Sequence, residues 1–180
     1  MGGYYNDAGV NLYADNYFSP MSPENAALFV LVDREAPDVT LLLHTGCHKH
    51  GKFLQPYYVP GFINNCVLAF DEKLCSSFEG AGYTYYSLRE HGVVDMNDSI
   101  WPPPRLPMET AVTHSCGGLS VVYESNEARA NPESPFFLEK ILNCHFILFE
   151  QALLYAGEFQ QKCLKGDTEP DKEPYRRKGY

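Results

Sequence analysis

The sequence predicts an α+β fold, an antiparallel sheet of about five or six strands packed on one long C-terminal helix. Three observations carry that expectation. Short apolar or aromatic runs recur through the first two-thirds of the chain, bounded by Gly, Pro, Asn and Asp, as strands are. Aromatic residues are abundant, with 13 Tyr and 11 Phe among 180 residues, and such side chains favour strands and half-buried surfaces. The last third changes character and shows helical apolar spacing without proline.

The elements follow in order. Residues 1–25, rich in Tyr, Asn, Asp and Gly, read as an irregular lead-in held on the body by its aromatics. Within it, Ser22-Pro23-Glu24 offers an N-cap followed by proline at the first position of a short helix. Residues 27–32 (Ala-Leu-Phe-Val-Leu-Val) are continuous and apolar, as a buried strand is. Residues 39–44 read as a second strand, paired with the first across the polar turn at 33–38. Residues 57–59 and 63–70 read as strands broken at Pro60-Gly61, and 71–82 as a polar loop or short helix. Residues 83–88 (Tyr-Thr-Tyr-Tyr-Ser-Leu) have strand composition.

Trp101-Pro102-Pro103-Pro104 begins a segment that excludes helix and central strand and favours polyproline II. Residues 111–115 and 119–123 flank Gly117-Gly118 as a kinked strand or hairpin. Asn131-Pro132 and Ser134-Pro135 are successive helix starts. Residues 136–164 then carry two apolar stripes. One runs Phe137, Ile141, Cys144, Leu148, Ala152, Tyr155, Phe159. The other runs Leu138, Leu142, Phe146, Phe149, Leu153, Ala156. Together they predict a central helix buried over most of its circumference, with Gly157 a break near its end. Residues 1–165 make one domain, and 166–180 a disordered charged tail.

The formal charge of −9 argues against nucleic acid and against an anionic membrane surface, since both need clustered Lys and Arg. No apolar run reaches the length that spans a bilayer, and no secretory leader is visible at the N-terminus. Six cysteines at irregular spacings, without a Cys-x-x-Cys pair, then predict reduced thiols and a cytoplasmic protein. Gly80-Ala81-Gly82 has too few glycines for a dinucleotide fingerprint, and no Gly-Lys-Ser/Thr occurs.

Two patches carry candidate chemistry. His44-Thr45-Gly46-Cys47-His48-Lys49-His50-Gly51 follows an apolar run, and His114-Ser115-Cys116 follows another. On a strand, His48 and His50 share a face, as do His114 and Cys116. Brought together, Cys47 or His48 with His50, His114 and Cys116 supply a tetrahedral N/S set suited to Zn²⁺. The alternative for the first patch is a solvated loop, given Lys49 and two glycines.

Imidazole and thiol also serve nucleophilic catalysis, with His44, His114, Cys116 and Cys144 as candidates. Asn143-Cys144-His145-Phe146 resembles the Asn-Cys motif of permuted papain-like hydrolases, in which a histidine on an early strand precedes a cysteine on a late helix. His44 and Cys144 match that order, and the resemblance covers only these residues. It implies a thiol nucleophile at Cys144. The helix pattern places Cys144 more than two turns inside, among core residues, and packing is the preferred reading there. The function expected is therefore a binding or interaction protein with an unidentified protein partner and an optional structural zinc site. The alternative is a small hydrolase with a Cys/His or metal-assisted centre around His44, His48, His50, His114 and Cys116.

Overall fold

The computed structural model describes residues 4–17, 21–45, 51–54, 56, 59, 61–88, 106–125 and 137–165. Its helices are α1 (Pro23–Glu35), α2 (Gly61–Gly80), α3 (Met108–Cys116) and α4 (Phe137–Lys165). Its strands are β1 (Val39–Thr45), β2 (Gly51–Leu54), β3 (Tyr85–Tyr86) and β4 (Leu119–Ser125). The expected linker at 101–105, helix starts at 131–135, strand residues Tyr57 and Tyr58, and tail at 166–180 lie outside the described residues.

The class is α+β, but the sheet corrects the expectation of five or six antiparallel strands. Among the described residues it is a mixed sheet of four strands in the order β1-β4-β2-β3. β1 runs parallel to β4, β2 parallel to β3, and only β2 and β4 are antiparallel. Three apolar runs account for the difference. Residues 27–32 lie inside α1, 63–70 inside α2, and 111–115 inside α3. A continuous apolar run fits a buried strand and a packed helix equally, and its length does not separate them. With 27–32 helical, the predicted hairpin across 33–38 becomes a helix-to-strand turn.

Two such turns organise one side of the molecule. α1 ends at Ala36, in the left-handed region (φ 41°), whose N–H donates to Val32 O. α3 ends at Gly117 (φ 70°), whose N–H donates to Thr113 O. Each turn feeds a strand, and the strands pair from the first residue, Val39 opposite Leu119. Gly118 permits the approach: a Cβ there would stand 2.1 Å from Pro37 O. Leu119 N donates to Asp38 O at 2.8 Å across the junction.

Helices cover both faces of the sheet. Alternation along β4 sends Leu119, Val121 and Tyr123 into the larger core with Val67, Phe70, Leu74 and Phe78 of α2 and Leu148, Tyr155 and Phe159 of α4. Two buried polar side chains there are paired. Tyr155 Oη donates to Cys66 O at 2.8 Å, and Asp71 accepts from Tyr85 Oη and from Leu88 N. The opposite face carries a smaller core of Val32, Val112 and Cys116, flanked by Leu28, Phe29 and Met108.

α4 matches its predicted extent and departs from its predicted burial. The first stripe is buried from Cys144 through Phe159, and Gly157 sits inside an unbroken helix. Leu138, Leu142, Phe146, Phe149 and Leu153 of the second stripe are exposed. The helix therefore flanks the sheet, with one apolar face turned outward. At α1, Pro23 is the first helical residue, but Ser22 makes no side-chain cap bond. Its Oγ is buried with no hydrogen-bond partner among the described residues.

Candidate functional site

The N-terminal segment builds one wall of a pocket. Asn6 turns the chain by accepting from Ala8 N and Val10 N through Oδ1, and Gly9 takes a positive φ of 75°. Leu12 N then donates to Tyr4 O at 2.7 Å, which fixes Tyr4 beside the 3-10 turn at Leu12–Ala14. Tyr4 and Tyr13 stand next to one another with ring centroids 5.2 Å apart. The opposite wall comes from β1 and β4, where parallel register sets His44 opposite Glu124. Both residues lie at the carboxyl ends of their strands, where crevices open in sheets with parallel strands.

The resulting pocket encloses about 450 Å³. Leu12, Leu42, Met108 and Val122 give it an apolar lining, and Tyr4, Tyr13, His44 and Glu124 supply polar groups. The Tyr4 ring stacks on the imidazole of His44 at 4.8 Å and 12°. Tyr4 Oη is 3.3 Å from His44 Nδ1 and donates to it in the Nε2–H tautomer. Glu124 Oε1 is 3.8 Å from the same nitrogen, beyond hydrogen-bond reach.

A second carboxyl lies behind Tyr13. Glu109 sits in the first turn of α3, where the helix dipole favours a negative charge. It is 0% exposed, and burial wins, pushing its carboxyl up to about 7. Tyr13 Oη donates to Oε1 at 3.1 Å, while Oε2 has no hydrogen-bond partner among the described residues. The Tyr4 hydroxyl is also raised, first by burial and then by the charges of Glu124 and Glu109. Among the described residues the lining holds no Lys or Arg, and Lys52 of β2 is the register partner of Glu124 across the antiparallel pair.

The second surface of interest is the outward face of α4. Leu138, Leu142, Phe146, Phe149 and Leu153 recur at steps of four, four, three and four, which keeps them within one arc of the helix. Phe146 is 65% exposed and Leu153 78%. A groove of about 630 Å³ runs beside them, closed on its other side by Ala81 and Tyr83. Lys140 lies over the Tyr83 ring at 5.9 Å.

Those residues expected to carry chemistry that the structure describes, His44, His114, Cys116 and Cys144, are dispersed. His114 and Cys116 are on α3, a helix and not a strand, and residues two apart on a helix do not share a face. His114 is exposed and Cys116 is buried. Cys116 Sγ donates to Val112 O at 3.2 Å and lies 3.7 Å from Pro37 O, at the start of β1. His44 lies at the far end of that strand, about 20 Å away at the usual rise per residue. The two patches therefore do not meet at His44. Cys47, His48 and His50 lie outside the described residues. Among the described residues no group of three or more His, Cys, Asp or Glu is placed to hold a metal ion. Cys144 is mid-helix in the larger core, and burial pushes its thiol up, which disfavours the thiolate a nucleophile needs.

Sequence reasoning found His44 and missed Tyr4, Tyr13, Glu109 and Glu124. The abundance of tyrosine in the lead-in was the one available signal. No helix among the described residues is long and apolar enough to cross a membrane. No family model, curated protein or solved structure matches the chain.

Proposed function

We propose that the chain is a protein-binding module that takes an amphipathic helix with basic flanks on the outward face of α4. The observation that carries this reading is the exposed stripe of Leu138, Leu142, Phe146, Phe149 and Leu153. Together the five residues expose about 550 Å², in the upper part of the roughly 300–600 Å² range of a monomer's largest apolar patch, a size that is often functional. Apolar anchors at helical spacing beside a groove are the features that helix-in-groove recognition uses.

Charge selects the occupant. Glu139 and Glu150 are exposed and border one edge of the stripe. An antiparallel second copy would bring Glu139 of one chain toward Glu150 of the other, and like charges there oppose pairing. A partner with Lys or Arg along its flank meets the same carboxylates favourably. The overall charge of −9 acts in the same direction. Cys66, Cys75, Cys116 and Cys144 carry thiols, which supports placing this activity in a reducing cytoplasm.

The test uses two designed helical peptides with identical leucine faces, one flanked by lysine and one by glutamate, followed by fluorescence anisotropy. The lysine peptide should bind, about tenfold or more tighter than the glutamate peptide, and Phe146→Asp should weaken it similarly. Equal binding of both peptides, no binding, or indifference to Phe146→Asp would overturn the proposal. So would a stable dimer of the chain alone by analytical ultracentrifugation.

A further inference from the structure

We infer that the groove beside α4 is a socket for one arginine side chain of the docked helix, with Glu150 receiving the guanidinium and Phe146, Phe149 and Leu153 covering its stem. This rests on the helix-docking reading above and names the residue type that the face selects.

Spacing comes first. Phe146, Phe149, Glu150 and Leu153 stand at i, i+3, i+4 and i+7, the four corners of the hole into which a side chain of a packed helix inserts. All four are exposed, and all four line the groove of about 630 Å³. Three corners are apolar and the fourth is a carboxylate. The adjoining holes along the stripe, Leu142-His145-Phe146-Phe149 and Phe149-Ala152-Leu153-Ala156, hold no carboxylate. Glu139 does not line the groove.

Glu150 has no hydrogen bond or ion pair among the described residues, whereas Glu158 further along α4 is paired with Lys73. Lys140 is about 15 Å from Glu150 along the helix axis and lies over the Tyr83 ring. That separation exceeds the screening length of about 8 Å at physiological salt. On the far side of the groove, Asn143 Nδ2 donates to Tyr83 Oη at 3.0 Å, which ties that wall to α4 before a partner arrives.

The occupant follows from the four corners. A leucine inserted there fills the apolar corners but strips water from Glu150 and leaves it unpaired, which is costly. An acidic side chain meets like charge. Arginine suits every corner: its methylenes pack on apolar surface, its planar guanidinium stacks on aromatic rings, and its forked N–H groups match a carboxylate. Lysine brings the charge without the plane.

The test uses the designed leucine-faced helix with arginine flanks, each arginine replaced in turn by citrulline, which keeps the shape and removes the charge. Fluorescence anisotropy is read with the full-length chain, Glu150→Gln and Glu139→Gln. Both glutamates are exposed, so both variants should keep the parent's circular dichroism. Citrulline at one position should weaken binding to the parent by about tenfold or more, and at the others by about threefold or less. The large loss should shrink to within about twofold in Glu150→Gln and persist in Glu139→Gln. Lysine at that position should bind less tightly than arginine. Equal losses at every position, a large loss that persists in Glu150→Gln or vanishes in Glu139→Gln, or lysine as tight as arginine would each overturn the socket while leaving helix docking in place. Failure of the arginine-flanked helix to bind the parent at all would overturn both.

Discussion

Glu109→Gln gives a stability difference that depends on pH in a way fixed by the buried carboxyl. Glu109 is 0% exposed, and its carboxyl is raised from an unfolded value of 4.5 to about 7. The folded chain binds this proton more tightly than the unfolded chain does. The stabilisation from Glu109 is therefore full below pH 4.5, falls as the unfolded chain ionises, and is gone above about pH 7, where the folded carboxyl ionises too. The whole change is worth about 3 kcal/mol, of which about 2–3 kcal/mol falls between pH 5 and pH 9. Glutamine does not titrate. It keeps the acceptor for Tyr13 Oη but buries an amide donor, at a constant cost of about 1–3 kcal/mol. At pH 5 the variant should be the less stable protein, and by pH 9 it should equal or exceed the parent. Thermal melts at both pH values check this. For a chain of this length the gap in Tm between the two proteins should change by about 5–10 °C. Every other titrating group contributes to both proteins and cancels in the difference. A gap that stays constant from pH 5 to pH 9 would refute the argument that burial controls this carboxyl.

Gly118→Ala should cost about 3 kcal/mol or more in urea unfolding, because its Cβ would meet Pro37 O at 2.1 Å and Asp38 O at 3.1 Å, and backbone cannot step aside. A loss below about 1 kcal/mol would mean that the two helix-to-strand turns are not packed as described. Ala36→Gly should raise stability by about 0.5–1 kcal/mol, since Ala36 holds a left-handed conformation (φ 41°) that glycine adopts without strain, less the entropy glycine gains when unfolded. A destabilised Ala36→Gly protein would contradict the αL cap.

How legible this fold was depended on what each segment is packed against. β1 and β4 were recognisable because Val39 to Leu43 and Leu119 to Tyr123 are short, and polar or glycine punctuation closes them within a strand's length. Residues 27–32 and 63–70 look the same in the sequence and are helical. Their helical partners are residues outside the run: Pro23 at the start of α1, and Leu74 and Phe78 continuing the α2 face by steps of four. Reading α2 as far as Phe78 would have exposed the period of 3.6; stopping at Phe70 hid it. The pocket was less legible still. His44 stood out by type, but its neighbour Glu124 is 80 residues away and arrives through parallel register. Neither hydropathy nor spacing encodes that register. Tyr4 and Tyr13 depend on an Asn6 turn whose effect is visible only once the lead-in is seen folded back on β1.

The two apolar stripes of α4 bear on function as much as on folding. A helix that covers one face of a sheet needs a single apolar arc, and the arc from Cys144 to Phe159 satisfies that need. The adjoining arc from Leu138 to Leu153 makes no contribution to the core and exposes leucine and phenylalanine to water. On that account the second stripe is the face proposed above to take a partner helix. The strand-end pocket lies on the opposite side of the sheet, on the face lined by Leu42, Val122 and Glu124, whereas α4 packs over Val121 and Tyr123. A sheet of paired strands between them gives neither site a shared side chain. The two should therefore be independent: Glu124→Gln should leave binding of the lysine-flanked helix unchanged within about twofold. Titrating the variant and the parent with that helix checks it. A loss of helix binding in Glu124→Gln would show that the sheet transmits strain between its faces.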